Sequence, residues 1–189
     1  MLHSDVQKRK SPVEGFGLIA TAHLPRGTVV WTAGGHDQQL AVTHKQLRRL
    51  PKRVHHLAYR IRDHYVLCFD GSQFTNHSCD PNLVWADDDT MIAARDIEPG
   101  EEVTFDYGTS EIHLWWRPKW RCRCGGAHCR GVLTGRDCLD PAFQERYRGH
   151  LPSWVLEFIE RNRGWRGWFY ARLFDLAEAV RRLRGQPAA

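Results

Sequence analysis

The 189-residue sequence predicts a β-rich α+β domain. Three observations point there. Short apolar runs broken by Gly and Pro fill the first hundred residues. Three cysteines then crowd into eight positions, Cys122 to Cys129. Helical periodicity is gathered late, beyond Pro141.

The elements follow in order. Gly17-Leu18-Ile19-Ala20 and Thr28-Val29-Val30-Trp31 read as strands, with Pro25-Arg26-Gly27 as a turn between them. Thr43 suits an N-cap for a helix over 43–50 that puts Leu47 and Leu50 on one face and ends at Pro51. His64-Tyr65-Val66-Leu67-Cys68-Phe69 is strand-like and stops at the turn signal Asp70-Gly71. Thr90 to Ala94 is another strand, Glu98-Pro99-Gly100 a turn, and Glu102 to Phe105 a further strand. Trp154, Val155, Phe158 and Ile159 share one helical face, and Leu173, Leu176, Val180 and Leu183 form a second stripe. Such stripes ordinarily face a core.

Length and composition bound the answer. The chain fits one domain, and 42% hydrophobic residues suffice for a core. No run approaches the roughly 20 apolar residues that span a bilayer. Met1 to Lys10 lacks the apolar stretch of a signal peptide, so a cytosolic protein is expected, nuclear if the source is eukaryotic. Net charge is +5. Of 27 basic residues, 22 are Arg, spread along the chain rather than massed in one block, so direct nucleic-acid binding is not the expectation.

In a chain of cytosolic character, clustered thiols point to metal before disulfides. Cys122-Arg123-Cys124 and Cys129, with Gly125 and Gly126 allowing a tight turn, suit a tetrahedral zinc ion. The local run supplies three ligands. Spacing leaves the fourth open among Cys79, Cys138, Cys68, His128 and His113. Cys68 and Cys138 read better as a core residue and a spare thiol.

Four segments now stand in order. They are Glu14-Gly15-Phe16-Gly17-Leu18, Phe74-Thr75-Asn76-His77-Ser78-Cys79-Asp80-Pro81-Asn82, Pro99 to Phe105-Asp106-Tyr107-Gly108, and the cysteine triplet. Together they resemble the SET-domain protein-lysine methyltransferases with a post-SET zinc segment, over roughly residues 8–135. The resemblance implies several small β-sheets with a knot-like threaded segment, S-adenosylmethionine as methyl donor and a protein lysine as acceptor. It implies a SET domain over 8–112, a zinc segment over 113–135 and a helical extension over 141–185. It also implies that Cys79 joins Cys122, Cys124 and Cys129 around zinc.

The same resemblance assigns cofactor contacts to Glu14, Gly15, Phe16, Gly17, Asn76, His77, Tyr107 and Trp120. Tyr107 is the expected catalytic residue, a phenol that orients the amine. Phe105, Trp85 and Trp115 are expected to line the lysine channel, and Phe105 in place of Tyr leaves room for more than one methyl. Leu114 and Trp116 lie in the same aromatic stretch. Gln73 departs from the family, where Arg is usual. The acceptor is expected in a small basic protein, histone-like or ribosomal. The competing reading is a SET-like module that binds a protein partner without turnover.

Overall fold

The computed structural model describes residues 1–13, 15–33, 39–61, 64–112, 118 and 120–163. Glu14, His113, Leu114, Trp115, Trp116 and the stripe over 173–183 lie outside the described residues. The strands, in chain order, are β1 (Val6–Lys10), β2 (Phe16–Ala20), β3 (Val29–Thr32), β4 (Gln39–Val42), β5 (Ala58–Ile61), β6 (His64–Cys68), β7 (Asn76–His77), β8 (Leu83–Trp85), β9 (Thr90–Ala93) and β10 (Glu102–Phe105). The α-helices are α1 (His44–Leu47), α2 (Pro141–Arg146) and α3 (Ser153–Arg161). Several small sheets with few helices is the architecture that the sequence predicts.

Three sheets result, in the orders β1-β2-β10-β7, β3-β9-β8 and β4-β6-β5. β1 and β2 pair antiparallel from Val6 opposite Ala20 to Lys10 opposite Phe16. The link between them closes through Gly15, whose φ of 64° is the left-handed conformation that glycine adopts without penalty. β10 joins the free edge of β2 antiparallel, while β7 runs parallel to β10 with Asn76 opposite Thr104 and His77 opposite Phe105. That parallel pairing sets two distant motifs side by side.

Leu18, Leu24, Val30, Ile97, Val103 and Val155 are almost fully buried and form the centre of the core. Burying each such side chain contributes roughly 1.5–3 kcal/mol. α3 covers one side of it. Its Trp154, Val155 and Ile159 are buried, and Trp154 meets Trp85 edge-on with ring centroids 5.5 Å apart. α2 starts at Pro141 behind an Asp140 cap that accepts the Ala142 N–H at 2.8 Å. The described C-terminal helices therefore complete the core.

Local signals explain the smaller elements. Thr43 and Gln46 form a reciprocal capping box on α1, which is shorter than the 43–50 expected; residues 48–50 turn away instead. Leu47 is buried against Val42 and Leu67. β1 escapes sequence reading because four of its five residues are exposed and polar. Its hydrogen bonds come from β2, not from any apolar pattern of its own. Among the described residues no helix is long and apolar enough to cross a membrane.

Candidate active site and metal centre

β10 delivers Phe105 to the site, and a 3-10 turn over Tyr107–Thr109 follows immediately. Asp106 caps that turn by accepting the Gly108 N–H at 2.9 Å. The Tyr107 hydroxyl donates to the Thr75 carbonyl at 3.0 Å. Its ring packs against Phe105 and His77, with centroids 4.9 and 5.2 Å away, and meets Trp120 at 6.3 Å. Burial raises the phenol's pKa above its ordinary value, and the carboxylates of Glu111 and Glu102 add to the shift. The phenol therefore stays protonated, with its hydroxyl fixed on Thr75.

Tyr107 lines two cavities. The smaller, about 170 Å³, is walled by Trp31, Trp85, Met91 and Phe105, with Gln73 and Thr75 also along it. The larger, about 630 Å³, is polar and is lined by Asn76, His77, Glu102 and Trp120 among others. Of the expected channel residues, Phe105 and Trp85 thus share one wall. Trp85 is held there by its indole N–H, which donates to Thr109 Oγ1 at 3.0 Å, and by an edge contact with Trp31 at 6.0 Å. Gln73 brings a buried Oε1 that has no hydrogen-bond partner among the described residues.

The larger cavity is organised by Glu102, which sequence reasoning did not single out. Its carboxylate accepts Asn76 Nδ2 at 2.6 Å and Ser11 Oγ at 2.9 Å. Asn76 Nδ2 also donates to the Phe16 carbonyl at 2.9 Å, so the Asn fastens β7 to β2. Gly17 leaves room for that carboxylate. A Cβ on it would sit 1.9 Å from Glu102 Oε1. Asn82 completes the brace, donating to the Glu102 carbonyl and accepting the Thr104 N–H at 2.9 and 2.8 Å. The available signal for Glu102 was its place in a strand that ends two residues before Tyr107.

His77 lines the larger cavity and is also held from behind. Its side chain is 2% exposed. Nδ1 accepts the Tyr107 backbone N–H at 3.2 Å, and Nε2 lies 3.2 Å from Cys79 Sγ. With Nδ1 accepting, the proton belongs on Nε2, directed at the sulfur. Burial lowers the imidazole pKa to about 4, against the opposing pull of Asp106, so the ring is neutral. His77 thereby links the backbone of Tyr107 to the cysteine cluster.

Cys79, Cys122, Cys124 and Cys129 bring their sulfurs within 4.8 Å of one another. Cys79 and Cys122 Sγ are 3.8 Å apart. Zinc–sulfur bonds of about 2.3 Å in a tetrahedron set sulfurs roughly 3.8 Å apart, so the donor set fits zinc. Backbone N–H groups of Cys79, Cys124 and Arg130 point at these sulfurs at 3.4 to 3.5 Å, as around bound thiolates. Cys68 and Cys138 are buried elsewhere, at 0% and 1% exposure. His128 is drawn instead to Asp80, its Nδ1 2.7 Å from Oδ1. Arg146 of α2 reaches the same carboxylate.

Behind the cluster lies a partly buried ion pair that the sequence did not reveal. Arg130 Nη1 and Nη2 bind the Asp106 carboxylate at 2.7 and 2.5 Å, and Nε binds Asp137 at 2.9 Å. Tyr147 donates its hydroxyl to Asp106 at 2.8 Å. Asp106 is 1% exposed, so these partners replace its lost hydration.

Comparison with known proteins supplies a family. Residues 15–108 match the family model described as SET domain. The chain is similar to human "Histone-lysine N-methyltransferase SETD2", 27% identical over 150 residues, which is 71% of this chain and 6% of that protein. It is similar to "Histone-lysine N-methyltransferase, H3 lysine-36 specific" of Schizosaccharomyces pombe, 31% identical over 159 residues, 77% of this chain and 19% of that one. It is also similar to "Histone-lysine N-methyltransferase ash1" of Drosophila melanogaster, 28% identical over 151 residues, 69% of this chain and 6% of that one. The chain thus spans a small part of the length of these relatives. A solved structure of a Plasmodium falciparum protein aligns over 61% of this chain and 99% of its own, at 18% identity and TM-score 0.43.

Proposed function

The chain belongs to the SET-domain family, and we propose that it is a protein-lysine N-methyltransferase dependent on S-adenosylmethionine. The observation that carries this is the position of Tyr107 as the shared wall of a narrow aromatic cavity and a wider polar one. A donor and an acceptor approaching from opposite sides would meet at its hydroxyl.

S-adenosylmethionine would supply an electrophilic methyl on a sulfonium cation. The larger cavity suits it. Its volume falls within the range of small-ligand sites. Glu102 and Asn76 give polar groups for an amino-acid moiety, and Trp120, 45% exposed, gives a face for a purine. Glu14, Gly15, Phe16 and Gly17 are assigned as further donor contacts on the strength of the family resemblance; Phe16 and Gly17 open β2, and Pro12 and Val13, just before them, line the cavity. His77 supports this wall through the backbone of Tyr107.

The smaller cavity suits an extended lysine stem. Trp31, Trp85, Met91 and Phe105 exclude water from the amine. A free lysine has a pKa near 10.4, and desolvation beside a cation lowers it, which supplies the neutral nucleophile without a side-chain base. Gln73 Oε1 offers an acceptor for an amine N–H. The Tyr107 hydroxyl, fixed on Thr75, presents an oriented dipole where the two cavities meet. Phe105 leaves the space for more than one methyl.

We place zinc on Cys79, Cys122, Cys124 and Cys129, with a SET domain over 8–112, a zinc segment over 113–135 and a helical extension over 141–185. The acceptor is a lysine of a small basic protein, in the nucleus if the source is eukaryotic and in the cytosol or nucleoid if bacterial. The names of the relatives and the aromatic channel support that class. The test is methyl-labelling of proteins from the source organism with Tyr107→Phe as control. Labelling that the variant abolishes supports the proposal. Tight donor binding with no transfer to any protein would instead favour a partner-binding module without turnover.

A further inference from the structure

The charge of this chain is not distributed as its composition suggests. Residues 38–62 hold seven Lys and Arg and no Asp or Glu. Everything outside that segment carries 20 basic against 22 acidic side chains. The whole positive excess therefore belongs to one stretch of 25 residues, which includes α1 and the turn after it.

The described part of that stretch forms a cationic face. Lys45, Arg48, Arg49 and Lys52 are all exposed, at a spacing of three, one and three residues. His44, Lys45, Arg48 and Arg49 line a shallow cleft of about 410 Å³. Among the described residues, no carboxylate lies within ion-pair distance of Lys45, Arg48, Arg49 or Lys52. Elsewhere exposed cations do find acids, as Arg95 finds Glu101 and Arg161 finds Glu157. Among the described residues, α1 itself offers no apolar anchor on this face, because its Leu47 is buried inward at 7% exposure.

A cationic face with no acid among it and no apolar centre suits a partner bound by charge alone. Protein partners need a packed apolar core in the interface, and membrane-surface helices need an apolar side to insert. A nucleic-acid backbone needs neither. We propose that the α1 face, centred on Lys45, Arg48, Arg49 and Lys52, binds the phosphate backbone of duplex nucleic acid. This goes against the expectation from the scattered Arg, since what segregates is the absence of acids. The sheet that carries α1, β4-β6-β5, also sends Ala58 to the wall of the narrow cavity. Joined to the methyl-transfer reading, the face would dock the channel beside proteins that are themselves bound to nucleic acid.

The test is fluorescence anisotropy of a labelled mixed-sequence DNA duplex titrated with the full chain, without methyl donor or acceptor. Its outcome is thus independent of any methyl transfer. With four phosphate contacts, affinity should fall roughly a hundredfold between about 50 and about 200 mM salt. The variant K45A/R48A/R49A/K52A should bind at least tenfold more weakly and flatten the log–log salt slope by about 3 to 4. The variant R9A/R26A/R148A/R161A removes as many exposed cations elsewhere and should keep the wild-type slope. The single reversals Arg48→Glu and Lys52→Glu, each at an exposed position, repeat the test if the fourfold variant unfolds. The proposal is overturned if the wild type does not bind, if the α1 variants bind like the wild type, or if the control variant loses as much. It is equally overturned if polyglutamate or anionic vesicles compete as well as DNA at equal charge.

Discussion

Arg130 grips both carboxylate oxygens of Asp106, at 2.7 and 2.5 Å, across 24 residues of sequence. Asp106 immediately precedes Tyr107, and Arg130 immediately follows Cys129. The pair therefore couples the turn that holds the phenol to the loop that ends the cysteine cluster. Arg130→Ala leaves Asp106 buried with an uncompensated charge and should destabilise the protein by about 3–5 kcal/mol. The double variant Asp106→Asn/Arg130→Met should lose less than Arg130→Ala alone. Chemical denaturation of all three checks this; equal losses would show that the ion pair is not the source.

Metal content should approach one zinc per chain. Stripping it with a chelator should lower the melting temperature and weaken S-adenosylmethionine binding together, because Cys79 contacts His77 and His77 holds the Tyr107 backbone. Calorimetry before and after metal removal would show the two losses. Donor binding that survives complete metal loss would refute this coupling.

Thiol chemistry should separate the six cysteines into two groups. The metal-loaded protein should react slowly with a thiol reagent. After chelation Cys79, Cys122, Cys124 and Cys129 should become reactive, while Cys68 and Cys138 stay protected until unfolding. Both are buried in the core, and burial pushes the Cys138 thiol up to about 12, which suppresses its thiolate at neutral pH. Peptide mapping of the modified sites reads the result.

Tyr107→Phe should reduce methyl transfer by roughly 10²-fold or more, the scale of losing one oriented hydroxyl at a reacting centre. Stability should fall by only about 1 kcal/mol for the lost bond to Thr75. The phenol's raised pKa keeps it protonated through its ordinary titration range, so a rate that rises with pH reflects the acceptor amine. The residual activity of the variant should therefore keep the same pH midpoint. A midpoint that moves with the substitution would make Tyr107 a base after all.

Gly17→Ala should force the Glu102 carboxylate away from Asn76 and Ser11, since the new Cβ would sit 1.9 Å from Oε1. Overpacking of this kind costs about 1–3 kcal/mol. Donor affinity should drop with it. Glu102→Ala in the Gly17→Ala background relieves the overlap and should restore part of the stability without restoring donor affinity. Thermal melts and donor titrations of both variants check this.

Much of the molecule was legible in the residues themselves. Thr43 announced its N-cap, Pro51 and Gly71 marked ends, and the apolar runs at Leu18 and Val103 marked strands, because these depend on local backbone preference and period. The two motifs around Asn76 and Tyr107 and the cysteine triplet pointed to the family and to zinc, because those residue types carry their chemistry wherever the fold puts them. Short strands such as β7 and β8 were not legible, since two or three residues hold strand geometry only when a neighbour completes their hydrogen bonds. Only the tertiary structure drew His128 away to Asp80, turned the ring of His77 toward sulfur, gave Gly17 a neighbour in Glu102, and joined Arg130 to Asp106. The contacts of His128, Gly17 and Arg130 span 24 or more residues, and the His77 ring is fixed by the Tyr107 N–H, 30 residues away. Their energies exist only when buried groups have lost water and must find each other, and no periodicity along the chain records that.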